Sequence, residues 1–210
     1  MGELIRVENL KKYFPTPGGM LHAVDDVSFS INEGETLGVV GESGCGKSTL
    51  GRVVLKLIEP TDGRIYYRGQ DITDLKGKSF AELRKKMQIV FQDPYSSLNP
   101  RLCVSELIAD PLKANRMLDR RSRQEKVYEL MDMVGLSRRF AFSYPHELDG
   151  GRRQRIGIAR ALVLDPDFIV CDEPVSALDV SIQAQILNLL QDLQQQRNLT
   201  YIFVTHDLSV

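Results

Sequence analysis

Residues 36–49 read TLGVVGESGCGKST. The first five form a short apolar run after the turn-like NEG, which reads as a strand. The rest, GESGCGKST at 41–49, matches GxxxxGK[ST], and a helical pattern follows it. Strand, loop and helix together are the context a phosphate-binding loop requires. Gly41, Gly44 and Gly46 let the backbone close around an anion and turn N–H groups inward. Lys47 reaches terminal phosphates, Ser48 can hold Mg²⁺, and the helix N-terminus adds its dipole. The candidate phosphate contacts are therefore Gly41, Glu42, Ser43, Gly44, Cys45, Gly46, Lys47, Ser48 and Thr49. The competing reading is a ligand-free glycine turn. Cys45 reads as a small filler of the loop rather than a redox group.

Working outward, QIVF (88–91), FIVC (168–171) and YIFVT (201–205) repeat the short apolar run of TLGVV (36–40). Such runs predict strands buried on both faces, as in a parallel sheet. Between them lie helical patterns. In SIQAQILNLLQDLQQQ (181–196), Ile182, Ile186, Leu189, Leu190 and Leu193 share one face, with Ser181 placed to cap the start. The order is α/β. LIRVENL, AVDDVSFSI and GRIYYRG, with NEG and TDG turns, predict antiparallel strands flanking that core. From about Pro94 to about Gly150 the strands stop, and VSELIADPLKAN and RQEKVYELMDMV predict an inserted helical subdomain, 94–150.

FIVCDEP places two acids at the end of a buried strand, the edge of a parallel sheet where ligands bind. Asp172 can hold Mg²⁺ through water, and Glu173 can deprotonate a water that attacks a γ-phosphate. An Asp-Glu pair there is also found as a solvated turn. Behind a phosphate-binding loop it completes a nucleotide site.

Composition limits the alternatives. The 210 residues are 42% hydrophobic and 26% charged, which suits one domain burying roughly 70% of its unfolded surface. A net charge of -1 gives no basic field to drive nucleic-acid binding. Cys45, Cys103 and Cys171 are three and scattered, against a disulfide framework or a zinc site, so a reducing cytoplasm fits. MGELIRVENLKKYF lacks an apolar signal core, and no apolar run approaches a membrane span.

In order and spacing these motifs resemble the ATP-binding subunits of ABC transporters over nearly the whole chain. The resemblance implies a P-loop NTPase fold, ATP and Mg²⁺ as ligands, and further roles. Tyr13 in LKKYF falls where the family stacks an aromatic on adenine. Gln92 in VFQDP matches the glutamine that senses Mg²⁺ and the attacking water and links to the membrane partner. Asp179 in SALD matches the acid of a loop crossing the dimer interface, and His206 in VTHD the histidine on the γ-phosphate. FQDPYSSLNPR, YPHEL and DEPVSALDVSIQAQILNLL are similar to ATPase subunits of oligopeptide and dipeptide importers. That implies a head-to-tail partner ATPase, permease subunits, a substrate-binding protein and a peripheral place on the cytoplasmic face of the inner membrane.

LDGGRRQR (148–155) departs from the family's LSGGQ and following QR, the helix start that clamps ATP on the other subunit. Gly150 and Gly151 remain, Asp149 replaces the serine and Arg152 the glutamine. A carboxylate accepts where serine donates. Two like charges about 4 Å apart cost on the order of 4 kcal/mol at an effective dielectric near 20, about a thousandfold in affinity if uncompensated. Asp149 still caps a helix as well as serine. The expectation is intact folding and a weakened ATP-closed dimer. The end at THDLSV, short of the family's further strands, reads as a fragment of a longer subunit.

Three rivals remain open. RMLDRRSRQEK (116–126) suggests an ATPase acting on nucleic acid, against a solvated helix face, without interleaved aromatics. Asp149 suggests a nucleotide-binding subunit with impaired hydrolysis. A P-loop kinase leaves the Asp-Glu pair and SALD without a role.

Overall fold

The computed structural model describes residues 2–206. A four-stranded antiparallel sheet is built from β1 (Glu3–Thr16), β2 (Gly19–Asn32), β4 (Asp62–Tyr67) and β5 (Gln70–Asp71), in the order β2-β1-β4-β5. Arg68 and Gly69, both at positive φ, make the two-residue turn between β4 and β5. Such a turn matches the twist of the strands it joins.

The second sheet is parallel, with β3 (Thr36–Val40), β6 (Met87–Val90), β7 (Phe168–Asp172) and β8 (Thr200–Thr205) in the order β3-β8-β7-β6. Every residue of β7 is buried. Its side chains alternate between two cores: Phe168 and Val170 join the one shared with the antiparallel sheet, Ile169 and Cys171 the one shared with the helices. Burial on both faces fails for β3, which alternates exposed and half-buried, with Val40 43% exposed. Its position at the edge of the described sheet accounts for this.

Helix α1 (Lys47–Val54) follows β3, and α2 (Gly77–Lys86) precedes β6. Between β6 and β7 come only helices: α3 (Pro94–Ser97), α4 (Val104–Ala114), α5 (Arg120–Met133), two 3-10 turns at 138–140 and 145–147, and α6 (Gly150–Leu162). Buried Leu107, Ile108, Leu130, Met131 and Ile156 pack them together. Asp119 caps α5, accepting from the Ser122 N–H at 2.8 Å. From Arg120 onward the basic run therefore lies on a capped helix, where Arg121 pairs with Glu125 on the surface and Lys126 turns toward Asp165.

Helix α7 (Val180–Arg197) buries Ile186, Leu190 and Leu193, with Ile182 and Leu189 half-buried beside them. Its cap differs from expectation. The helix starts earlier, so Asp179 rather than Ser181 is the N-cap, its carbonyl accepting from Ile182 and Gln183.

Candidate nucleotide site

All four parallel strands release their chain at one edge, and a polar loop leaves each. β3 leads to the glycine loop, β6 to Gln92, β7 to Glu173 and β8 to His206. Parallel connectivity thus converts four distant segments into one site.

The glycine loop is shaped by close approach. Gly46, at φ 99°, is the N-cap of α1, and a Cβ there would lie 1.9 Å from the Ala23 carbonyl oxygen of β2. No other residue fits. Lys47 is buried, and its Nζ donates to the carbonyls of Gly41 and Glu42, both at 2.7 Å. The loop thereby holds its own cation at the place where an anion would sit.

Ser48 Oγ donates to Asp172 Oδ1 at 2.6 Å, joining the first helical turn to the end of β7. Asp172 is only 2% exposed. Arg52 approaches its other oxygen at 3.5 Å, a contact the sequence reading missed; its only signal was a basic residue one turn beyond Ser48.

Glu173 has φ 46°, a left-handed conformation costing on the order of 1–3 kcal/mol for a side-chain-bearing residue. It is held there because its N–H donates to the Val204 carbonyl at 3.0 Å and its own carbonyl accepts from Ser176 Oγ at 3.1 Å. The turn aims the carboxylate across the sheet edge. Gln92 Nε2 donates to Glu173 Oε2 at 2.7 Å, and His206 Nδ1 lies 3.5 Å from the same oxygen.

A cleft of about 340 Å³ runs along this edge, lined by Ser43 to Thr49, Gln92, Glu173 and, on the far rim, Phe14, Leu21, His22 and Ala23. Gly41 and Glu42 act from behind it through their carbonyls. A neighbouring opening of about 410 Å³ shares Ser43, Gln92 and Glu173 and adds Ser176 and His206. Tyr13 immediately precedes Phe14 of that rim. One face of its ring is stacked against His22, 3.9 Å between centroids, and its hydroxyl donates to Asp25. The sequence reading missed His22, which becomes visible only when the hairpin register sets it opposite Tyr13.

Asp149, Gly150, Gly151 and Asp179 are gathered elsewhere. A Cβ on Gly150 would meet Leu178 at 3.0 Å and one on Gly151 would meet Ile182 at 2.7 Å, so α6 starts tightly against the SALD segment. Gln183 secures that segment by donating to the carbonyls of Val175 and Leu178. Asp149 caps α6 through the Arg152 N–H and takes the Arg152 guanidinium at 2.7 Å.

The family model described as ABC transporter matches residues 24–176, more than half of the chain. The chain belongs to the ABC transporter family. It is 52% identical over 210 residues to the oligopeptide transport ATP-binding protein OppF of Bacillus subtilis (strain 168), covering 99% of this chain and 69% of that protein. It is 50% identical over 213 residues to the dipeptide transport ATP-binding protein DppF of Escherichia coli (strain K12), covering 99% and 64%. The chain thus spans about two thirds of these relatives' length. Among solved structures, the dimeric post-hydrolysis state of the ATP-binding cassette MJ0796 bound to ADP and Pi superposes with a TM-score of 0.87, at 31% identity, covering 98% of this chain and 89% of that one. The fold is that of an ABC ATPase cassette, a P-loop NTPase with an antiparallel sheet beside a parallel one.

Proposed function

We propose that this chain is the ATP-hydrolysing subunit of a peptide importer of the ABC type. It acts on the cytoplasmic face of a membrane with a head-to-tail partner ATPase, permease subunits and a substrate-binding protein that selects the cargo. The observation that carries the ATPase reading is the convergence of Lys47, Ser48, Asp172, Gln92, Glu173 and His206 on one sheet edge. The peptide reading rests on the two transport relatives. No helix among the described residues is long and apolar enough to cross a membrane, which suits a subunit relying on permease partners.

ATP would bind with its phosphates against the N–H groups of Gly44 to Ser48, and Lys47 would exchange the Gly41 and Glu42 carbonyls for phosphate oxygens. The donors for Mg²⁺ fit: Ser48 Oγ and Asp172 Oδ1 are hard oxygens 2.6 Å apart, with the Gln92 side chain nearby. Among the described residues no cluster of three or more His, Cys, Asp or Glu could hold a metal by itself. That matches an ion which keeps waters and shares the substrate's phosphates. When bound, Mg²⁺ supplies neutralisation of charge on those phosphates.

Glu173 then acts as general base. Its Oε2 takes a proton from water as the water oxygen bonds to the γ-phosphorus, and the bond to the bridging oxygen breaks, releasing ADP with that electron pair. Gln92 orients the carboxylate through its 2.7 Å bond, and His206 steadies the γ-phosphate. Gly150 and Gly151 at the start of α6, with Asp149 and Asp179, would face ATP held by the partner. Gln92 also lines a second cleft of about 540 Å³ together with Phe91, Asp93, Pro111 and Arg160. There it would link the site, through the helices of 94–150, to the membrane partner.

A second reading, nucleotide binding with impaired hydrolysis, is favoured by the charge at Asp149. Steady-state hydrolysis of Mg-ATP by the chain and by Glu173→Gln decides between them. We expect the variant to lose roughly 10²- to 10⁴-fold in rate while still binding ATP. Equal rates would refute Glu173 as the base, and an inactive parent chain would favour the second reading.

A further inference from the structure

Glu173 stands at a strained turn, φ 46°, and such a conformation persists only where the surroundings over-determine it. On its N-terminal side the hold is β8, through the Val204 carbonyl. On its C-terminal side the hold is local: the Glu173 carbonyl accepts from Ser176 Oγ at 3.1 Å and from the Ser176 N–H at 3.3 Å. Ser176 sits inside a turn closed by the Leu178 N–H on the Val175 carbonyl, at 3.1 Å. Both ends of that turn are taken by one side chain. Gln183 Nε2 donates to the Val175 carbonyl at 3.2 Å and to the Leu178 carbonyl at 3.0 Å. A carboxamide nitrogen carries two protons, so each carbonyl receives one.

The helix itself does not use this amide. α7 closes its first turn through the Asp179 carbonyl, which accepts from the backbone of Ile182 and Gln183, while the Gln183 side chain reaches back across the helix start. It reaches from a firm post, because Ile186 and Leu190 bury the next turns of α7 in the core. It also ends beside the reacting groups: Gln183, Ser176, Glu173 and His206 wall one small cavity of about 60 Å³. We infer that Gln183 is a positioning residue for hydrolysis, fixing the 175–178 turn and through it the direction of the Glu173 carboxylate. The inference rests on the reading of Glu173 as general base. Leu178, at the far end of the turn, is the residue that Gly150 of α6 abuts. The same clasp therefore sets where the start of α6 lies relative to the base.

Single-turnover hydrolysis and calorimetric binding of Mg-ATP by the intact chain test this. Gln183→Met keeps the side-chain length and removes both donors. We expect its rate to fall roughly tenfold or more, since a misplacement of about 1 Å can cost about a hundredfold. ATP affinity should stay within about twofold of the parent, the mark of an interaction felt in the chemical step alone. In a Glu173→Gln background the same substitution should change nothing further, because residues acting as one unit are not additive. Gln183→Lys, whose ammonium can still donate to both carbonyls, should keep the rate within about threefold of the parent. If Gln183→Met does not fold, Gln183→Asn, which is one methylene shorter, carries the same expectations. An unchanged rate overturns the inference. So does a loss shared by rate and ATP affinity, which would make Gln183 a support of the fold. An equal loss in the Glu173→Gln background, or a lysine variant as slow as the methionine one, overturns it too. If the parent chain hydrolyses no ATP, or Glu173→Gln is as fast as the parent, the reading of Glu173 as base falls and this inference with it.

Discussion

Asp149 gives one oxygen to the Arg152 N–H and the other to the Arg152 guanidinium. Its charge is therefore partly matched before any phosphate approaches, and the uncompensated thousandfold penalty is an upper bound. Both side chains are well exposed, where an ion pair contributes about 0–1 kcal/mol. Asp149→Ser should then raise steady-state ATP hydrolysis about fivefold, equivalent to about 1 kcal/mol of repulsion removed, with Tm nearly unchanged because serine caps equally well. A rate at or below that of the parent would show that the carboxylate does not face the partner's ATP. At this scale the loop residues and the Asp-Glu pair were legible because their chemistry lies in contiguous motifs. Arg52 and His22 were not, since their partners Asp172 and Tyr13 are supplied by tertiary contact and strand register.

Among elements, the glycine loop tolerates least. A methyl group at Gly46 would combine φ 99° with a contact 1.9 Å from the Ala23 oxygen. Gly46→Ala should cost more than the roughly 1–3 kcal/mol of backbone strain alone, because β2 must also retreat. The measurable result is loss of ATP binding by calorimetry together with a lowered Tm. Helix α5 offers a pH test. The Ser122 N–H bound to Asp119 holds that carboxyl below its usual 3.8. Because the folded pKa is depressed, the cap stabilises above 3.8 and is lost as pH falls through the folded value. Asp119→Ala should lower Tm at neutral pH, and the gap should close as the pH is taken below 3.8; a gap constant with pH would contradict this. Strand and helix identities were readable from periodicity. The cap of α7 and the open face of β3 were not, because one depends on where a turn ends and the other on a strand's place in its sheet.

Across the whole molecule, the parallel sheet lies between two cores, and β7 contributes alternate side chains to each. Phe168 is fully buried in the core shared with the antiparallel sheet. Phe168→Ala should cost about 3–5 kcal/mol, a large share of the roughly 5–15 kcal/mol typical of a folded domain, read as a lowered urea midpoint. Hydrolysis should fall with it, since β7 ends in Asp172. The alternation of buried runs and helical patterns made the α/β class legible. The strand order was not, because crossover topology leaves no local trace in composition.

Release of four loops from four neighbouring strands also constrains movement. Adjacent strands are about 4.8 Å apart, so the outermost roots, those of the glycine loop and of Gln92, are separated by about 14 Å of hydrogen-bonded backbone. That span cannot widen without unzipping the sheet. Any opening and shutting of this molecule must therefore pivot on the segments that leave the sheet, like pages turning on a stiff spine.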